Sequence, residues 1–246
     1  MEADVAERRA GQFAAERFDE RNRAWLRRVW WVALLAALLA GLAPVGIAAL
    51  LDSQHMSFFW GVAFGTAITM AMCLTTSPPE HIERWRQGAE GERKTARVLL
   101  PLIKDGWVLI NDVPGHRGNI DHILIGPAGV FVLETKNLHG RLSVTGDTLR
   151  QTYRDEDGRG RPVEQVGTMT RGRAAGLHDQ LCDAGLRPGW LHAVVVIWGD
   201  FEQRSVRSNR TLWIHGRELV TTLASRPVTL DDGEIQTIAT YLREYA

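Results

Sequence analysis

Asn119–Lys136 reads NIDHILIGPAGVFVLETK. Two apolar runs, Asn119–Ile125 and Val130–Lys136, flank Gly126-Pro127-Ala128-Gly129, residues that favour a tight turn, so the stretch predicts a β-hairpin. A turn centred between Pro127 and Ala128 sets Asp121 opposite Glu134. Side chains alternate along a strand, so Lys136 shares the face of Glu134. Directly opposed side chains lie roughly 5 Å apart, so Asp121, Glu134 and Lys136 converge. The rest of both runs is apolar on both faces, as expected inside a covered sheet. Two carboxylates and a lysine are costly there unless they pair or bind a metal.

That combination suits phosphodiester hydrolysis. Mg²⁺ takes oxygen ligands, uses one or two protein carboxylates and keeps waters that substrate phosphate can displace. A lysine beside it can orient a water and offset developing negative charge.

Outward from the hairpin the chain alternates helices and strands. His81–Ile103 has helical spacing, with Ala89, Ala96, Leu99, Leu100 and Ile103 apolar. Trp107–Val113 reads as a strand, as does Arg141–Val144. Val163–Ala184 reads as a helix and Leu191–Trp198, a continuous apolar run, as a buried strand. Trp213–His215 adds a strand and Asp231–Tyr245 a last helix. The layout is α/β with a mixed sheet.

Several stretches match one family together: Gly91-Glu92 at a helix start, Asn119-Ile120-Asp121-His122, Gly126-Pro127-x-Gly129-Val130-Phe131-Val132, Glu134-Thr135-Lys136-Asn137 with Gly140, and Pro162 and Gln165 in RPVEQV. The pattern resembles the nuclease-related domain family, NERD, within the restriction-endonuclease-like superfamily whose core is D…(D/E)-x-K. The resemblance runs from about Gly88 to Trp198. It implies a restriction-endonuclease-like mixed sheet flanked by helices and a nuclease activity. It also implies Mg²⁺ or Mn²⁺ as cofactor and a nucleic acid partner, with DNA favoured over RNA. By position, Asp121, Glu134 and Glu92 would hold the metal, Lys136 would be the catalytic lysine and Gln165 would lie near the site. Arg161 stands where the family usually has asparagine.

The N-terminal third reads differently. Val29–Leu51 and Met56–Ser77 carry no charge, and each is long enough for a helix across a bilayer core. Gly61 and Gly65 form a G-x-x-x-G spacing that lets helices pack closely. Arg21, Arg23, Arg27 and Arg28 precede the first run, and Arg84, Arg86, Arg93 and Lys94 follow the second. The positive-inside rule therefore puts both termini in the cytoplasm. Trp25, Trp30, Trp31 and Trp60 fall near the expected interfaces. The reading is a cytosolic segment 1–28, a transmembrane hairpin 29–77 (29–51 and 56–77) in the inner membrane, and a cytosolic nuclease-related domain 78–246. The lipid bilayer is then a partner, and a homo-oligomer is compatible with it.

Composition excludes some alternatives. With 29 basic and 29 acidic residues the net charge is zero, so charge alone does not indicate nucleic acid. Cys73 and Cys182 do not make a disulfide framework. Gly88–Thr95 has Arg93 where a P-loop needs glycine, and no C-x-x-C or H-E-x-x-H indicates zinc. Two other readings remain: a non-cutting module that docks nucleic acid or protein, and a membrane scaffold.

Overall fold

The structure, a computed structural model, describes residues 10–51, 60–62, 64–69, 79–115, 118–152 and 161–245. The chain forms two compact units, Ala15–Arg86 and a second made of Gln87–Ala246 with the N-terminal residues up to Ala14.

The second unit is a mixed α/β fold. Its eight strands are β1 (Val108–Val113), β2 (Ile120–Gly126), β3 (Gly129–Thr145), β4 (Thr148–Thr152), β5 (Arg161–Glu164), β6 (Leu191–Phe201), β7 (Ser205–Ser208) and β8 (Thr211–His215). They form one sheet in the order β1-β2-β3-β6-β8-β7, with β4 and β5 added along the far half of β3. β3, β6 and β8 run parallel to one another, and the other pairs are antiparallel. The helices are α2 (Glu80–Val98), α3 (Leu100–Lys104), α4 (Val166–Asp183), α5 (Leu219–Ala224) and α6 (Asp232–Tyr245).

Strand alternation divides the core. Ile110, Ile123, Ile125, Val130 and Val132 pack with Leu177 and Leu181 of α4 and Ile235, Ile238 and Leu242 of α6. Leu109, Leu124, Phe131 and Leu133 point the other way, onto Ala96 and Leu99, Leu102 of α3, and Leu219 and Leu223 of α5. A sheet covered on both faces explains why the central strands are apolar throughout.

The hairpin has the expected register: β2 and β3 pair from Gly126 with Gly129 to His122 with Leu133. The expected strand at Arg141–Val144 is the continuation of β3 past an irregularity between Asn137 and Arg141. Gly140, at φ 84°, makes that bend in a conformation that a side chain disfavours. The expected helix His81–Ile103 is divided at Leu99, because Pro101 has no N–H to donate to the preceding turn. The expected start of the next helix at Val163 falls instead in β5, and α4 begins at Val166.

In the other unit, α1 (Gln12–Leu51) enters from the N-terminal residues and is continuous through the charged segment before Trp25. Arg17 pairs with Glu20 at 3.5 Å, and Arg21 lies over the Trp85 ring. Among the described residues, no helix is long and apolar enough to cross a membrane. The expected hairpin of 29–51 and 56–77 therefore has no counterpart among them. α1 runs through the first stretch with side chains described as far as Val32 and at Leu35, while 52–59, 63 and 70–78 lie outside the described residues.

α2 sits close on the sheet because of Gly91. A Cβ there would meet Asn137 Cβ at 2.6 Å and Thr135 Cγ2 at 3.2 Å. Overpacking of that kind costs about 1–3 kcal/mol, more than the helical preference for alanine returns. Gly91→Ala should therefore lower the midpoint of thermal unfolding; an unchanged or raised midpoint would show that the helix has room to move.

Candidate active site

The site forms where β2 and β3 part. Beyond His122 the hairpin ladder stops, and the Asp121 carboxylate takes the next backbone donor itself, accepting the Thr135 N–H at 2.7 Å. Asp121 and Glu134 therefore flank the point of separation. Lys136 returns to the face of Glu134 and holds its Nζ 3.1 Å from Glu134 Oε1.

A second cation completes this pairing. Arg173 is one of eight arginines between residues 141 and 187 that the sequence offers, unranked, as phosphate contacts. From two turns into α4 it places Nη1 on the other oxygen, Glu134 Oε2. Arg173 is mostly buried, and its Nε has no partner among the described residues. Glu134, itself buried, is thus held between two cations.

A residue missed in the sequence is Asp112. In the β1–β2 register it stands opposite Asp121, between the pairs Asn111–His122 and Val113–Ile120. Its φ of 55° takes it out of regular strand geometry, and its carboxylate accepts the Gln12 N–H at 3.1 Å and the Asn119 Nδ2 at 3.2 Å. Asp112, Asp121 and Glu134 occupy one row across three neighbouring strands. Parity from the hairpin would have found Asp112 had the first strand been aligned to it.

Glu92 reaches this row from α2. Burial, then repulsion from Asp121, Asp112 and Glu134, pushes its carboxyl up to about 9, with Lys136 opposing. Burial and the Glu134 charge push Asp121 up to about 8, against the Thr135 N–H, Lys136 and Arg173. Neither Glu92 nor Asp121 forms a salt bridge with a described residue. Repulsion among the acids thus falls mainly on Glu92 and Asp121.

His122 points away from the row, as alternation requires. It is fully buried, with Nδ1 2.7 Å from Asn111 Oδ1, and burial takes it down to about 3, so it is neutral. Thr135 also faces the other side, where its hydroxyl meets Thr95 at 3.1 Å and Thr95 accepts the Trp198 Nε1–H at 2.9 Å. This buried chain ties α2, β3 and β6 together behind the acids. Gln165 occupies the exposed N-cap position of α4, eight residues and so roughly 12 Å along the helix from Arg173.

Residues 87–198 match the family described as Nuclease-related domain (NERD). Every one of the residues just described, apart from Gln12, lies within that match. An uncharacterized protein of Bacillus anthracis is 33% identical over 78 residues, covering 30% of this chain and 36% of that protein. The similarity thus spans about a third of the curated relative's length. No solved structure matches.

The acid cluster has a pH signature. A carboxyl raised from 3.8 to about 8 favours the fold while protonated, so its contribution is complete below about pH 4 and lost as pH rises through about 8. Without a divalent cation, stability should fall from about pH 4 to about pH 8 and level off above it, by about 1.4 kcal/mol per unit at most for one group. Asp121→Asn, which can still accept the Thr135 N–H, should flatten that fall and be the more stable protein at about pH 9. Thermal unfolding in EDTA across this range would test it, and parallel curves for the two proteins would refute it.

Proposed function

We propose that this protein hydrolyses phosphodiester bonds in nucleic acid, DNA in preference to RNA, at the Asp121–Glu134–Lys136 cluster. The observation that carries the reading is the parting of β2 and β3, which brings these three side chains together inside the segment that matches the nuclease-related domain. It is consistent with a restriction-endonuclease-like arrangement of the sheet.

Among the described residues, no three His, Cys, Asp or Glu side chains stand close enough to hold a metal ion as they are placed. The donor chemistry nonetheless suits one. Asp121, Glu134 and Glu92 offer oxygen ligands only, and their mutual repulsion is what a hard divalent cation relieves. These three residues would hold Mg²⁺ or Mn²⁺, which when bound supplies Lewis acidity to a phosphate and acidifies a water. The chain's own contributions are distinct. The Thr135 N–H fixes the angle of Asp121. Lys136, held against Glu134, is positioned to orient the attacking water and to offset charge on the phosphate. Arg173 would leave Glu134 free to bind the cation and meet the phosphate itself. Gln165, by the same resemblance, would lie near the site, at the start of α4.

A second reading has one observation in its favour. Both oxygens of Glu134 are taken by Lys136 and Arg173, the arrangement expected of a site that docks nucleic acid without cutting it.

Membrane attachment belongs to the proposal as well. Trp30, Trp31, Val32 and Leu35 are exposed in the first uncharged run, and Trp60, Val62, Phe64 and Ile68 in the second. Apolar surface of this extent suits a lipid environment, with a hairpin that leaves both termini in the cytoplasm. Self-association through Gly61 and Gly65 would fit the same hairpin. Alkaline extraction of membranes from expressing cells should leave the full chain in the pellet; its release to the supernatant would remove the anchor.

The nuclease reading is tested with the purified full chain in detergent, using labelled single- and double-stranded DNA and RNA with Mg²⁺, Mn²⁺ or EDTA. Cleavage should require the metal and fall by roughly 10²-fold or more in Asp121→Asn and Lys136→Ala. A folded protein that binds nucleic acid but cuts no substrate with either metal would favour the docking module.

A further inference from the structure

A second cluster of charge lies on the opposite face of the sheet. A cavity of about 490 Å³ is lined by Trp190, His192, Arg207, Arg210 and Arg226 over a floor that includes Leu212, and no acid among the described residues lines it. It opens at the start of β6. His192 pairs with Phe131 and Val195 with Glu134, so the two sites are three residues, roughly 10 Å, apart along the strand. Phe131 and Glu134 differ in parity, so the cavity lies on the α2–α3–α5 side and Glu134 on the α4–α6 side.

The three guanidiniums are uncompensated. None of Arg207, Arg210 and Arg226 forms a salt bridge with a described residue, whereas nearby Arg204 does, with Glu218. Their positions are built rather than incidental. Arg226 lies 5.4 Å from the centroid of the buried Phe131 ring, and His192 stacks on that ring at 4.9 Å. Arg210, in the β7–β8 turn, lies 5.9 Å from the Trp190 ring. Burial, Arg226 and Arg207 hold His192 down to about 4, so it adds no charge at neutral pH.

Three fixed positive charges call for an anion of similar charge, and a diphosphate group carries about three negative charges at neutral pH. Arginine forks suit phosphate oxygens, and the cavity falls within the size range of small-molecule sites, about 300–1,000 Å³. Trp190, 61% exposed, offers an indole face at the rim for a planar base. We propose that this cavity binds a nucleoside diphosphate or triphosphate, with the phosphates on Arg207, Arg210 and Arg226 and the base on Trp190. The proposal does not rest on the cleavage reading, and no acid in the cavity calls for a metal.

The test is calorimetric titration of the full chain, in EDTA, with ADP, pyrophosphate and an unphosphorylated oligodeoxynucleotide. EDTA separates this site from the acid cluster, so the outcome is independent of whether the protein cuts. ADP should bind, at least fivefold more tightly than pyrophosphate. Arg207→Gln with Arg226→Gln should weaken ADP tenfold or more while keeping the wild-type unfolding midpoint, and Arg226→Lys should recover part of the loss. Trp190→Ala should bring ADP to the level of pyrophosphate. Absence of ADP binding by folded wild-type protein would overturn the proposal. So would equal affinity for ADP and pyrophosphate, which would indicate an inorganic polyphosphate site. Binding of the oligodeoxynucleotide alone would also overturn it, in favour of a strand track.

Discussion

Side chains alternate along a strand, so the two-residue turn between β2 and β3 leaves no freedom over which residues meet across the hairpin. With Gly126 paired to Gly129, Asp121 must come to Glu134 and His122 to Leu133. A slip of one residue would turn one strand over against the other, setting Asp121 and Glu134 on opposite faces and the shifted strand's packed residues against the wrong helices. Apolar packing on both faces therefore enforces the register, and the register in turn assembles the acids. The site depends on the turn although no turn residue touches it.

Bringing those acids together is unfavourable, and the structure shows where the compensation lies. Lys136 and Arg173 neutralise Glu134, and a backbone N–H from the parted ladder serves Asp121. Asp112 is drawn aside to the Gln12 N–H and Asn119. Glu92 receives no comparable partner among the described residues, and the close approach of α2 permitted by Gly91 brings it up against the others. The remaining repulsion is concentrated on Glu92 and Asp121.

Much of this was readable in the residues, and the exceptions have physical causes. The central strands are apolar runs bounded by glycine and proline, and their pairing follows from turn geometry, so the hairpin and the convergence of Asp121, Glu134 and Lys136 were legible. β4 and β7 are short and polar, β4 between β3 and β5 and β7 at an edge, and carry no apolar alternation to announce them. Asp112 is found only by carrying the parity of the hairpin across to β1, since its left-handed φ has no signature of its own in an Asn-Asp-Val triplet. Arg173 does not stand out from the other arginines of its stretch because its partner, Glu134, is 39 residues away. Only the packing of α4 on the sheet selects it.

The zero net charge of the chain conceals a separation. Acids gather at the parting of β2 and β3, on the face of α4 and α6, while Arg207, Arg210 and Arg226 gather on the other face at the start of β6. The sheet between them is filled by Val, Ile, Leu and Phe and offers little water to screen either group. Each cluster keeps its own field. One field favours positive charge and the other negative charge, and total composition, which sums the two, indicates neither.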